Sequence, residues 1–135
     1  MIKIAGMWER GWNTPIKEFD LWNFMLKEFN VDEFYMTPIS GIDADVSERK
    51  NLNDVIEENP DLEVIHIDEN GDMDLENFIH PENALYIFGR TSSSTLSIKE
   101  EGHHSVRIST INNLAGFWAN QVAALVLYDR YLKTR

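Results

Sequence analysis

The chain contains no cysteine, so neither a disulfide framework nor thiolate chemistry is open to it. No apolar run approaches the length needed to cross a bilayer. The opening segment MIKIAGMWERGW has too short an apolar stretch for a signal peptide. The expectation is a soluble, cytoplasmic protein without membrane contact. Residues 51–89 also lack lysine and arginine, yet eleven acids fall there: Asp54, Glu57, Glu58, Asp61, Glu63, Asp68, Glu69, Asp72, Asp74, Glu76 and Glu82. Of 23 acids in total, the other 12 balance the 12 bases, so the net charge of −11 belongs to this one sector. Such a sector repels nucleic acid and suits a solvated face, while a local basic patch elsewhere can still bind phosphate. Neither GxGxxG nor GxxxxGK[ST] occurs, which removes those devices for dinucleotide or triphosphate binding.

What is present fits one globular domain spanning residues 1–135, with 43% hydrophobic and 11% aromatic residues to build a core. IKIAGM near the start reads as a buried strand. Thr14-Pro15 reads as an N-cap and first helical residue. Ile16, Phe19, Trp22, Leu26 and Phe29 then recur at helical spacing, and Asn30 suits a left-handed cap. EFYMT is a second strand halted by Pro38, and residues 39–50 read as a loop. A short helix over 52–58 ends at Asn59-Pro60, EVIHI is a third strand, and residues 68–71 turn. Met73, Leu75, Phe78 and Ile79 suggest a brief helix before Pro81. ALYIF over 84–88 is a fourth strand, residues 105–108 a fifth. A last helix from about Leu114 places Leu114, Trp118, Val122, Leu125, Val126 and Leu132 on one side. Strands alternating with helices predict an α/β fold, a mainly parallel sheet with helices on both faces.

Ligands in such sheets lie beyond the carboxyl ends of the strands, where Gly89 and then Ser109-Thr110 fall. Gly89 carries no Cβ, so a ligand can approach its backbone closely. The run TSSST over 91–95 offers hydroxyls to a ligand or phosphate, and its leading reading is a solvated loop. His103 and His104 are adjacent and face opposite ways in a strand, with no second ligand cluster, so no metal site is assigned. Asp68, Glu69, Asp72 and Asp74 lack the spacing and final Glu of a calcium loop. His66 and His80 read as structural. Trp8 and Trp12 flank Arg10, an arrangement suited to base stacking as well as to burial.

The closing third resembles the SPOUT superfamily, the trefoil-knotted S-adenosylmethionine-dependent RNA methyltransferases, in its SpoU-like branch. YIFG ends at Gly89, and Ile108 lies nineteen residues later, at the family's spacing between its first and second motifs. Ile108-Ser109-Thr110-Ile111-Asn112 occupies the second motif, with Asn112 for glycine. Gly116-Phe117-Trp118 occupies the third, and VAALVLYD closes the helix with Tyr128 where the family has its tyrosine. EFNVDEFYMTP resembles the family's strand entry, with Asn30 for glycine. Asparagine at both Asn30 and Asn112 tolerates left-handed backbone.

The resemblance implies a C-terminal trefoil knot and a homodimer through the last helix. It also implies S-adenosylmethionine held at Phe88, Gly89, Arg90, Ile108, Thr110, Leu114, Gly116 and Phe117, and methyl transfer to an RNA ribose 2′-hydroxyl on tRNA or rRNA. The family's polar positions fall on Glu18, Phe24, Thr91 and the Gly116-Phe117-Trp118 segment, so no catalytic residue is assigned. Two competitors stand beside this reading. One is a non-catalytic dimeric knot-fold protein whose acidic face meets a basic partner. The other is an unknotted flavodoxin-like module binding a different small molecule.

Overall fold

The computed structural model describes residues 1–7, 15–41, 43–89 and 94–135. Trp8, Arg10, Trp12, Thr14, Arg90, Thr91, Ser92 and Ser93 lie outside the described residues, so the cap, stacking and cofactor expectations placed on them stay with the sequence. The strands are β1 (Ile2–Met7), β2 (Glu33–Thr37), β3 (Ser47–Glu48), β4 (Glu63–Ile67), β5 (Met73–Asp74), β6 (Ala84–Phe88) and β7 (His104–Arg107). They form one parallel sheet in the order β3-β2-β1-β6-β4-β7-β5. The helices are α1 (Pro15–Glu28), α2 (Leu52–Glu58) and α3 (Ala119–Thr134).

Successive side chains on a strand point to opposite faces, and here each face meets different helices. Ile4, Met36, Ile65, Tyr86, Phe88 and Val106 pack against Phe19, Trp22 and Leu26 of α1 and Ala123, Val126 and Leu127 of α3. Ala5, Tyr35, Val64, Leu85 and Ile87 pack against Leu52 and Val55 of α2. β6 lies between β1 and β4 with all five residues buried, which is why it reads as the unbroken apolar run ALYIF. The predicted α/β architecture, a parallel sheet covered on both faces, is therefore present. Trp22 anchors the α1 side, stacked on Phe34 at 4.9 Å and edge-on to Phe88 at 6.1 Å. After α1, Asn30 takes the left-handed conformation expected of it, with φ 54°.

Four local expectations need correction. Residues 39–50 contain the two-residue strand β3, invisible in the sequence because Ser47 and Glu48 are polar and pair only at the sheet edge. No helix forms from Met73 to Ile79. Met73 and Asp74 instead extend to pair with Val106 and Arg107, leaving one 3-10 turn over Leu75–Asn77. Ile79 is 88% exposed. The strand expected over 105–108 lies one residue earlier, so Ile108 belongs to the following loop.

The fourth correction concerns α3. It begins at Ala119, because Asn113 and Leu114 both hold positive φ (51° and 58°) and two consecutive left-handed residues cannot continue a right-handed helix. Its buried side carries Asn120, Ala123, Val126, Leu127 and Arg130, leaving Leu125 and Leu132 outside the core. Arg130 holds a core position because its guanidinium finds three acceptors there. It donates to the carbonyls of Pro81 (2.6 Å) and Glu82 (3.1 Å) and to Tyr86 Oη (2.9 Å). Tyr86 in turn lies 2.7 Å from His80 Nδ1, and His80 Nε2 lies 2.7 Å from Asp129. A carboxylate accepts only, so Nε2 donates and Nδ1 receives the Tyr86 proton. Burial holds the His80 imidazole below its usual pKa, despite Asp129. Lys133 completes the attachment through the carbonyls of Leu75 and Phe78.

Candidate functional site

Parallel strands bring their carboxyl ends to one rim, and register decides which loops meet there. Ile67 pairs with Phe88 on one side and Val106 on the other, so the ends of β6 and β7 flank that of β4 in a single row. At ordinary strand spacing Phe88 and Val106 stand about 10 Å apart. Gly89 directly follows this row, half-buried. Ile108, two residues beyond it, is half-buried against the core.

Asp68 ties the three loops together. Its backbone N–H donates to the Val106 carbonyl at 3.0 Å. One carboxylate oxygen accepts from the Asn70 amide at 2.9 Å, the other from Ser94 Oγ at 2.6 Å. Gly71 closes the turn onto the Asp68 carbonyl at 3.0 Å. A Cβ there would fall 2.5 Å from the Val106 carbonyl carbon and 2.7 Å from the Arg107 nitrogen. Only glycine allows this backbone contact.

On the α2 face, beneath the loop that follows β6, three side chains form a chain of hydrogen bonds. His66, fully buried, lies 2.9 Å from Thr95 Oγ1 through Nδ1 and 3.0 Å from His103 Nδ1 through Nε2. His103 Nδ1 also accepts from the Glu100 amide at 3.2 Å, so it carries no proton. One arrangement satisfies every group: Thr95 donates to His66 Nδ1, and His66 Nε2 donates to His103. Burial, with the nearby His103 and Lys99 charges, pushes the His66 pKa down to about 4. Thr95 is thus buried and bonded, against the expectation of a solvated 91–95 loop. His104 turns the other way, to Glu63 at 3.1 Å and the Phe78 ring, so the two adjacent histidines do diverge.

The loop after β7 is fixed at its root. Arg107 forms an ion pair with Asp74 (2.9 Å) and donates to the Gly71 carbonyl (2.7 Å), while Ser109 Oγ donates to Asp74 at 2.8 Å. Ser109 and Arg107 together hold the Asp74 carboxyl below its usual pKa. Thr110 Oγ1 then accepts from Leu114 N at 3.0 Å, which supports the left-handed pair. The left-handed residues are Asn113 and Leu114, not the expected Asn112, because the turn closes one residue later. Trp118 N donates to Gln121 Oε1 at 2.8 Å at the start of α3.

Of the expected cofactor residues, Phe88 and Gly89 lie at the carboxyl end of β6 and Ile108 beyond that of β7, with β4 between them. Phe88 points into the core against Trp22, so its side chain is turned away from the rim. Thr110, Gly116 and Phe117 are exposed and Leu114 half-buried along the next loop, and no hydrogen bond among the described residues joins them to Gly89 or Ile108. Phe24, at a position where the resemblance implies arginine, is 68% exposed on α1. Gly71, Asp74, Ser94 and Thr95 were visible in the sequence only as a turn, an acidic group and a hydroxyl run, with nothing to bring them together at one rim. A polar residue one step beyond a strand end was the available clue for Asp68 and Ser109.

No family model matches this sequence, and no curated protein matches it. The fold does match solved structures. A candidate RNA methyltransferase from Bacillus anthracis superposes with TM-score 0.73 at 14% identity, over 98% of this chain and 94% of that one. A protein studied for 2-OH methylation of C/U34 on tRNA gives 0.74 at 11%, over 98% and 89%. The SpoU methyltransferase AviRb from Streptomyces viridochromogenes, solved with the cofactor AdoMet, gives 0.72 at 11%, over 97% of this chain and 57% of that one. The chain shares the fold of these solved RNA methyltransferases, at 11–14% sequence identity.

Proposed function

We propose that this protein binds S-adenosylmethionine at the carboxyl rim of β6 and β7 and transfers its methyl group to a ribose 2′-hydroxyl of tRNA or rRNA. The observation that carries the reading is the shared register of Phe88, Ile67 and Val106, which sets the Gly89 and Ile108 loops on either side of one strand. The fit is chemical as well as spatial. Gly89 exposes backbone without a Cβ, and the Asp68 and Asp74 bonds hold both neighbouring turns in place. Gly89, Arg90, Ile108, Thr110, Leu114, Gly116 and Phe117 would surround the adenosyl group, Phe88 contributing its backbone. The cofactor supplies an electrophilic methyl on sulfonium. The chain's part is to fix its orientation, which accounts for a large share of rate enhancement in such transfers. In this reading α3 threads through the loop between β6 and β7, closing the knot.

The exposed side of α3 carries Leu125, Tyr128 and Leu132 at spacings of three and four, exposed Trp118 precedes its first residue, and α1 adds exposed Leu21 and Phe24. An apolar stripe of that period suits a second copy of the chain. No helix among the described residues is long and apolar enough to cross a membrane, and a cytoplasmic RNA substrate fits the proposal. Titration calorimetry with S-adenosylmethionine and S-adenosylhomocysteine tests the binding step. One site per chain is expected, and absence of heat at millimolar ligand would dismiss it.

A second reading, a non-catalytic dimeric binding protein, draws on Phe24 and Trp118, apolar where polar catalytic groups are implied. It also draws on the acids of residues 51–89, most of them exposed to a basic partner. Labelled methyl transfer into bulk RNA separates the two: incorporation supports the enzyme, and binding without incorporation supports the alternative.

A further inference from the structure

Asn120, in the opening turn of α3, is 8% exposed, and its Oδ1 is buried with no hydrogen-bond partner among the described residues. His66, His80, Thr95, Ser105 and Arg130 are comparably buried, and each is bonded. An orphaned acceptor inside a protein is costly and needs a reason. The other orphan, Trp22 Nε1, belongs to a ring committed to Phe34 and Phe88 midway along α1.

Side chains lean toward the N-terminus of their helix, so the Asn120 carboxamide lies over the first turn of α3. There the N–H groups of Ala119 and Asn120 have no intrahelical carbonyl to meet. No acidic residue occupies that turn to neutralise its positive end. Arg130, ten residues on, bonds to carbonyls just before β6 begins. Ten residues of helix span about 15 Å, against about 13 Å for the length of β6. Asn120 therefore stands level with Gly89, at the ligand end of the sheet. An orphaned acceptor beside unpaired N–H donors complements one chemical group well: an α-ammonium next to an α-carboxylate.

We infer that the first turn of α3 holds the amino-acid end of the methyl donor, with Asn120 Oδ1 accepting from its ammonium and the Ala119 and Asn120 N–H groups facing its carboxylate. This rests on the cofactor reading above. The test compares two thioethers that differ in that end alone, S-adenosylhomocysteine and 5′-methylthioadenosine, on wild-type protein and on Asn120→Ala and Asn120→Ser. Calorimetry should show both variants binding S-adenosylhomocysteine about tenfold more weakly, a loss typical of one charge-assisted hydrogen bond. Affinity for 5′-methylthioadenosine should stay within twofold. The melting temperature of the ligand-free variants should be unchanged or higher, since an unsatisfied buried group has been removed.

Unchanged S-adenosylhomocysteine affinity overturns the inference while leaving the cofactor site standing. Equal weakening of both ligands, or a lowered melting temperature with affinity intact, also overturns it, assigning Asn120 to the pocket's general packing or to a buried water. If wild-type protein binds neither ligand, the cofactor proposal fails and takes this inference with it.

Discussion

Replacing His66 with glutamine isolates the buried link between β4 and the loop after β6. In the folded protein burial holds His66 neutral, with a pKa near 4 against a usual 6.5. The unfolded chain binds a proton as pH falls through 6.5, and the native state does not until about 4. The lowered value therefore contributes stability that is complete above pH 6.5 and is lost between 6.5 and 4. The separation corresponds to about 3 kcal/mol, at about 1.4 kcal/mol per pH unit. That is a sizeable part of the stability of an ordinary domain. Burial is the first cause and the His103 and Lys99 charges add to it, while Asp68 opposes them. His80 and His103 are lowered in the same sense, but both remain in the variant, so they largely cancel in the difference. Urea unfolding of wild type and His66→Gln from pH 8 to pH 4 measures it. The stability of wild type relative to the variant should fall by about 3 kcal/mol toward acid. A difference that stays flat with pH, or a His66 imidazole titrating near 6.5 by NMR, would refute the assignment.

Gly71→Ala forces a Cβ against the backbone of Val106 and Arg107, and urea unfolding should register a loss of about 3 kcal/mol. A cost below about 0.5 kcal/mol would show that β7 yields easily. Arg130→Met keeps much of the side-chain volume but removes three hydrogen bonds to Pro81, Glu82 and Tyr86. It too should destabilise by about 3 kcal/mol, and a neutral result would mean the buried guanidinium adds nothing net. Leu125→Asp combined with Tyr128→Asp places charge on the exposed stripe of α3. Sedimentation should report a dimer for the unaltered protein and a monomer for the variant, and equal masses would move the interface elsewhere.

Much of the scaffold was readable from local chemistry. ALYIF, EVIHI and EFYMT are apolar enough to be strands buried on both faces, and the Phe19, Trp22, Leu26 spacing marks the core side of α1. Asn30 was readable as a left-handed residue from its place after the last apolar position. The rim end of β6 could also be located, since Gly89 directly follows the apolar run ALYIF, and that of β7 to within one residue. The phase of α3 could not. Leu125, Tyr128 and Leu132 are as hydrophobic as the residues that pack inside, and Asn120 and Arg130 look like surface positions. Only the carbonyls of Pro81 and Glu82 and the Tyr86 hydroxyl, 44 to 49 residues away in the chain, make burial of Arg130 favourable.

The divide follows the range of the forces involved. Hydrophobic period, turn chemistry and the glycine after a strand act within a few residues, so the order of strands and helices and their rough limits are written in neighbouring letters. Strand order, the row Phe88–Ile67–Val106, the edge pairing that made Met73 and Asp74 a strand, and the His66–His103 contact join residues dozens of positions apart. Those contacts form only when the sheet assembles, because each depends on which distant backbone supplies the missing donor or acceptor.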